Sequence, residues 1–114
     1  MFVGLIGEDH EPIHPVYVSR IACEIIDWDL ASTGYNRIVF RNRRPLTFYV
    51  YRPIKNIIGA AYFIEADSSE RQTSIAFLPK PIMYIVNPGD TIVFSPHHLA
   101  IDTKVKVEHE QQSI

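Results

Sequence analysis

The stretch TSIAFLPKPIMYIVNPGDTIVFSPHHLAIDTKVKV, Thr73 to Val107, carries the clearest structural signal in the chain. Three short apolar runs, Thr73 to Leu78, Ile82 to Val86 and Thr91 to Ser95, are divided by Pro79-Lys80-Pro81 and by Asn87-Pro88-Gly89-Asp90. The second divider is a turn by its chemistry: proline presets the first central position and glycine supplies positive φ at the next. Leu99 to Val107 then alternates, with Ile101, Thr103, Val105 and Val107 set against Asp102, Lys104, Lys106 and Glu108. That is a strand with one buried and one wet face. Short strands at this spacing, cut by turn residues, belong to sandwiches and barrels.

The same pattern continues upstream. Ile57 to Ala66 is the most apolar run, and its Gly59-Ala60-Ala61 centre implies close backbone approach. Leu46 to Tyr51 puts Leu46, Phe48 and Val50 on one face and ends before Pro53, which cannot donate to a ladder. Tyr35 to Phe40 is a strand that leads into an Asn42-Arg43-Arg44-Pro45 turn. Val16 to Trp28 reads as a strand bent near Glu24, or as the one place for a short helix, closed by Ser32-Thr33-Gly34. Phe2 to Ile6 is a first short strand, residues 8–15 a solvated loop and Asp67 to Gln72 a polar one. Eight prolines against five glycines leave no room for a long helix. The expected architecture is one all-β domain over residues 1–108, of eight or nine strands, with 109–114 as a flexible tail.

With 46% hydrophobic and 21% charged residues, the chain is neither a disordered polar segment nor a collagen-like rod nor a coiled coil. The single cysteine, Cys23, leaves no intrachain disulfide and implies a reducing compartment. The start MFVGLIGEDH lacks the basic region of a signal peptide, and no apolar run nears the roughly 20 residues of a membrane-spanning helix. The net charge of −2 conceals an asymmetry. Leu30 to Ile64 holds Arg37, Arg41, Arg43, Arg44, Arg52 and Lys55 and no acid, so this window carries +6 and the remainder −8. These six cations, among Phe40, Phe48, Tyr49 and Tyr51, form the candidate partner-binding handle. The cluster reads first as a solvated turn beside core aromatics; as a handle, its favoured partner is a protein with an acidic surface, and the pI near 6.2 speaks against dedicated nucleic-acid binding.

Candidate chemistry is sparse. His10 and His14 have the spacing of a helical zinc pair, but Pro12 and Pro15 forbid that helix. PGDTIVFSPHH is similar to the second half-motif of cupin barrels, which would make His97 or His98 a metal ligand. The glycine between that proline and that histidine is missing, and no His-x-His with a downstream Glu supplies the other ligands. Cys23 lies in an apolar run as a buried thiol would, and no glycines flank Ser95 as in a nucleophile elbow. Asp27 and Asp29, either side of Trp28, share a strand face and mark solvent exposure. No catalytic, cofactor-binding or metal residue is assigned, and the expectation is a non-enzymatic protein.

The pieces FVGL (2–5), TGYNRI (33–38), LTF (46–48), IGAAYFIEA (58–66) and LPKPIMYIVNPGDTIVFSPHHLAI (78–101) occur in a telling order. Together they resemble a family of small structural proteins of tailed bacteriophages, head decoration (cement) or tail-fibre-related. The resemblance spans nearly the whole chain and departs from the pattern in Tyr17 to Asp29 and in the arginine cluster. It implies a jelly-roll-like antiparallel β-sandwich, made in the host cytoplasm and located on the virion. It further implies attachment to the major capsid protein or a tail protein as a homo-oligomer, a trimer by analogy, with no cofactor and no membrane.

Overall fold

The computed structural model describes residues 1–34, 37–67, 69–71 and 75–104. Among them are nine strands: β1 (Phe2–Gly7), β2 (Ile21–Ala22), β3 (Trp28–Gly34), β4 (Arg37–Asn42), β5 (Leu46–Tyr49), β6 (Ile57–Phe63), β7 (Ala76–Ile82), β8 (Thr91–Phe94) and β9 (Ala100–Lys104). A single 3-10 turn, Ile25–Asp27, precedes β3. The fold is all-β and every strand pair is antiparallel.

Pairing is nested. Arg37 faces Lys104 and Arg41 faces Ala100; Leu46 faces Phe94 and Tyr49 faces Thr91; Ile54 bridges Val86; Ile57 faces Ile82 and Ala60 faces Ala76. Residues 37–60 and 76–104 therefore form one long two-stranded ribbon, folded over at its β6–β7 end and rolled on itself. This is the connectivity of a jelly roll. Rolling divides the ribbon among three sheets, ordered β2-β1-β6-β7, β3-β4-β9 and β5-β8. Their inner faces share one core, which includes Val3, Leu5, Trp28, Leu46, Phe48, Val50, Ile92, Leu99 and Ile101. Leu46, Phe48 and Val50 do point inward together, while Tyr49 between them is exposed. A second, smaller cluster of Ile6, Ala61 and Phe63 covers the far side of β1 and β6.

Several boundaries differ from those the sequence suggests. Val16 to Trp28 is neither one strand nor an α-helix. Tyr17 closes a turn onto the His14 carbonyl, Val18 bridges Val50, β2 is two residues long, and the 3-10 turn follows. That last turn is closed by Asp27, whose amide donates to the Glu24 carbonyl while its carboxylate accepts the Glu24 amide. Ser32-Thr33-Gly34 is not a turn but the end of β3, kept in the ladder by a bulge between Leu30 and Ser32. Pro79-Lys80-Pro81 does not divide strands; it lies within β7. β7 is the outer strand of its sheet, and its register with β6 shifts between Ile57 and Gly59, so prolines without an N–H are tolerated there. Met83 to Ile85 leaves the sheet, and only Val86 keeps a bridge. Tyr35 and Asn36, Thr73 and Ser74, and the tail from Val105 onward lie outside the described residues.

Two expected turns are present. Asp90 donates to the Asn87 carbonyl at 3.0 Å and Gly89 has φ of +92°, the left-handed conformation that its position demands. The Asn42–Pro45 segment bends the chain between β4 and β5, and Asn42 is wholly buried there. Its side-chain amide donates to the carbonyls of Arg44 (2.9 Å), Ser95 (2.9 Å) and Phe94 (3.3 Å), and its Oδ1 accepts the Leu99 amide at 2.8 Å. Its backbone N–H donates to the Leu99 carbonyl and its carbonyl accepts from His97. One side chain thus fastens the β4–β5 bend to the β8–β9 connection, the corner where the ribbon passes from one sheet to another.

Asn42→Ala strips the partners from the buried Leu99 amide and from three half-buried carbonyls, and is expected to cost about 2–3 kcal/mol. A lowered urea midpoint at unchanged slope will show it. Gly59→Ala is expected to cost at least about 2 kcal/mol, because a Cβ there would lie 2.6 Å from the Ala76 carbonyl oxygen across the ribbon's closed end. The same titration measures it.

Candidate functional site

Of the six basic residues of the 30–64 window, three are engaged within the chain. Trp28 faces Asn42 across the β3–β4 ladder, so the chain leaving β4 runs past the start of β3, where Asp27 and Asp29 lie. Arg43 donates its backbone amide to the Asp27 carbonyl at 2.7 Å, and its Nε and Nη2 both reach Asp29 Oδ1 at 2.8 Å. The other oxygen of Asp29 is 2.9 Å from His97 Nε2. Arg44 Nε lies 2.9 Å from Asp27 Oδ1, and its Nη2 donates to the Ala22 carbonyl at 3.1 Å. Arg41 donates to the His97 carbonyl at 3.2 Å. The turn's arginines are thereby drawn into contacts within the chain. Asp27 and Asp29 do not share a strand face, since one closes the 3-10 turn and the other lies on β3.

Arg52 and Lys55 differ. Both are exposed, and neither pairs with a carboxylate among the described residues. The Arg52 guanidinium lies over the Tyr17 ring, 5.8 Å from its centroid. Arg37 faces Lys104 across β4 and β9; its side chain lies outside what is described.

The paired acids titrate low. The hydrogen bond from His97 and then that from Arg43 hold Asp29 below the usual carboxylate range. The Arg44 hydrogen bond, followed by the Glu24 amide, does the same for Asp27. Cys23 is buried, and burial pushes its thiol up to about 11, against the opposing pull of the Arg44 guanidinium nearby. A thiol so placed is a poor nucleophile at neutral pH.

Three of the histidines are engaged separately. His10 stands edge-on to Phe77 with ring centroids 5.7 Å apart, and His14 Nδ1 accepts the Val16 amide. His97, in a positive-φ turn, is bound to Asp29. Among the described residues no three His, Cys, Asp or Glu side chains gather as a metal would need. What this region does chemically is to tie β3, the β4–β5 bend and the β8–β9 connection together by charge.

Both aspartates have lower pKa values folded than the ~3.9 of an unfolded Asp, so the unfolded chain binds more protons in that window. Their stabilisation is complete above about pH 4 and is lost as pH falls through the folded values. The melting temperature of the wild type is expected to drop along this limb as pH falls below about 4, while Asp27→Asn/Asp29→Asn starts lower at pH 7 and shows a flatter acid limb. Calorimetry across that range is the measurement, and added salt should shrink the difference.

No family model, characterised protein or solved structure matches the chain.

Proposed function

We propose that this is a non-enzymatic structural protein of a tailed bacteriophage virion, a decoration (cement) protein that binds and stabilises the head shell as an oligomer. The observation that carries the proposal is where the phage-like pieces fall. LTF, IGAAYF, PKPI, GDTIVF and LAI lie along the paired limbs of the rolled ribbon, so the resemblance follows the framework of the fold. A small jelly roll with Arg43 and Arg44 paired internally suits a protein whose task is to cover other subunits. Such a protein adds interface area against internal pressure and needs no reaction centre. Attachment to a tail or fibre is the second reading, favoured by the same pieces.

Within this reading the attachment contacts fall to Arg52 and Lys55, whose charges remain available to an acidic capsid surface. Purified chain is added to capsids and, separately, to tails of the encoding phage assembled without it, and bound copies are counted. Saturable binding to capsids is expected. Arg52→Glu/Lys55→Glu should lower occupancy by about tenfold at low salt, with the gap closing as salt rises. Binding to tails alone moves the protein to the adaptor reading, and binding to neither overturns both.

A further inference from the structure

The outer face beside β5 and β8 is aromatic and open, with Asp90 the one charged residue lining it and Arg52 beside Tyr17. Val18 bridges Val50 and both are buried, so their neighbours Tyr17, Tyr49 and Tyr51 turn outward together. Tyr49 faces Thr91 and Thr47 faces Val93, which extends the same face onto β8. There it meets a groove of about 540 Å³ between β8 and residues 82–86, lined in part by Tyr84, Ile85 and Val93. Tyr17, Tyr49, Tyr51, Tyr84, Ile85 and Val93 are between 40% and 69% exposed. Together they present on the order of 700–800 Å² of surface, close to the ~800 Å² per partner of a stable interface.

Two of the sheet edges are treated differently. β7, at the edge of the four-stranded sheet, carries Pro79, Lys80 and Pro81, which discourage any further strand from pairing. β8 is Thr-Ile-Val-Phe, without charge or proline, and among the described residues only β5 lies beside it. An unblunted apolar edge is the kind that another strand covers.

We infer that a second copy of this chain covers it, with the β8 edges of two protomers pairing antiparallel across a two-fold axis and the tyrosines packing around them. A two-fold interface sets a patch against itself, which a patch of one sign resists; this one is mainly aromatic and apolar and holds one acid, Asp90, and one base, Arg52, of opposite sign. Arg52, stacked on Tyr17, falls at the rim. The pairing would join two β5–β8 sheets into one of four strands. This arrangement does not depend on the virion reading, and it differs from the threefold assembly that the phage resemblance implies.

Light scattering on the full chain eluting from a sizing column, over about 1–200 μM, tests it. The expected mass is that of two protomers. Val93→Lys, which places an ammonium beside its own copy, should raise the dissociation constant at least about 100-fold and give the protomer mass. Tyr84→Asp, across the groove, should act the same way, so a folding failure in one variant leaves the other to decide, with far-UV circular dichroism as the check. Lys80→Glu on the β7 edge should leave the dimer intact. A monomer throughout the range, a mass of three protomers, or dimers in folded Val93→Lys and Tyr84→Asp would overturn the inference. Capsid occupancy is read separately, so this proposal and the virion proposal can fail independently.

Discussion

The side chain of Asn42 is the constraint on which the rest of the structure depends. A rolled ribbon must turn a corner wherever it leaves one sheet for the next, and at a corner the backbone loses its ladder partners. Arg44, Phe94, Ser95 and Leu99 are the residues whose carbonyls or amide would go unpaired there, and one buried amide side chain serves all four. Buried polar groups in a low-dielectric interior carry large penalties when unpaired, so this small network fixes the corner's geometry narrowly. Both limbs of the ribbon are held by it, because Asn42 belongs to one and its partners at Phe94, Ser95 and Leu99 to the other.

The same corner determines what becomes of the charge asymmetry. Fixing the β4–β5 bend against the start of β3 brings Arg43 and Arg44 onto Asp29 and Asp27. Exposed pairs of this kind add little stability one at a time, but Asp29 also holds His97, Arg44 also donates to the Ala22 carbonyl, and the Arg43 amide links the two pairs through the Asp27 carbonyl, so they act as a lattice around the corner. The surface left after this internal pairing is divided. Cationic character remains at Arg52 and Lys55, next to a face that is mainly aromatic and apolar.

Much of the fold was legible in the sequence because its signals are local. The alternation of Leu46, Phe48 and Val50 reports a half-buried strand, Asn87-Pro88-Gly89-Asp90 reports its turn, and Gly59 reports the close approach found at Ala76. Other features depend on partners that are remote in sequence. Pro79 and Pro81 look like breakers until β7 is seen to be an outer strand. Met83 to Ile85 has a strand's composition yet pairs with no strand among the described residues. Asn42 looks like any turn residue, because nothing in its surroundings reveals that the corner is dry inside. The candidate site was legible as a count of cations and not as an arrangement. Pairing of Asp27 and Asp29 with arginines 14 to 17 positions away follows from the β3–β4 register, which alternation alone leaves open.

The nested ribbon also imposes an order of assembly. Ala60 and Ala76 close a short loop, but Arg37 and Lys104 must meet across most of the chain. Loop-closure entropy therefore favours joining at the β6–β7 end, after which each outer pair closes a gap already narrowed by the one inside it. During synthesis β4, β5 and β6 leave the ribosome well before β7, β8 and β9 exist to cover them. Until β9 emerges, the uncovered limb is a string of apolar strands with open edges, and the growing protein is at its most vulnerable to association with its neighbours.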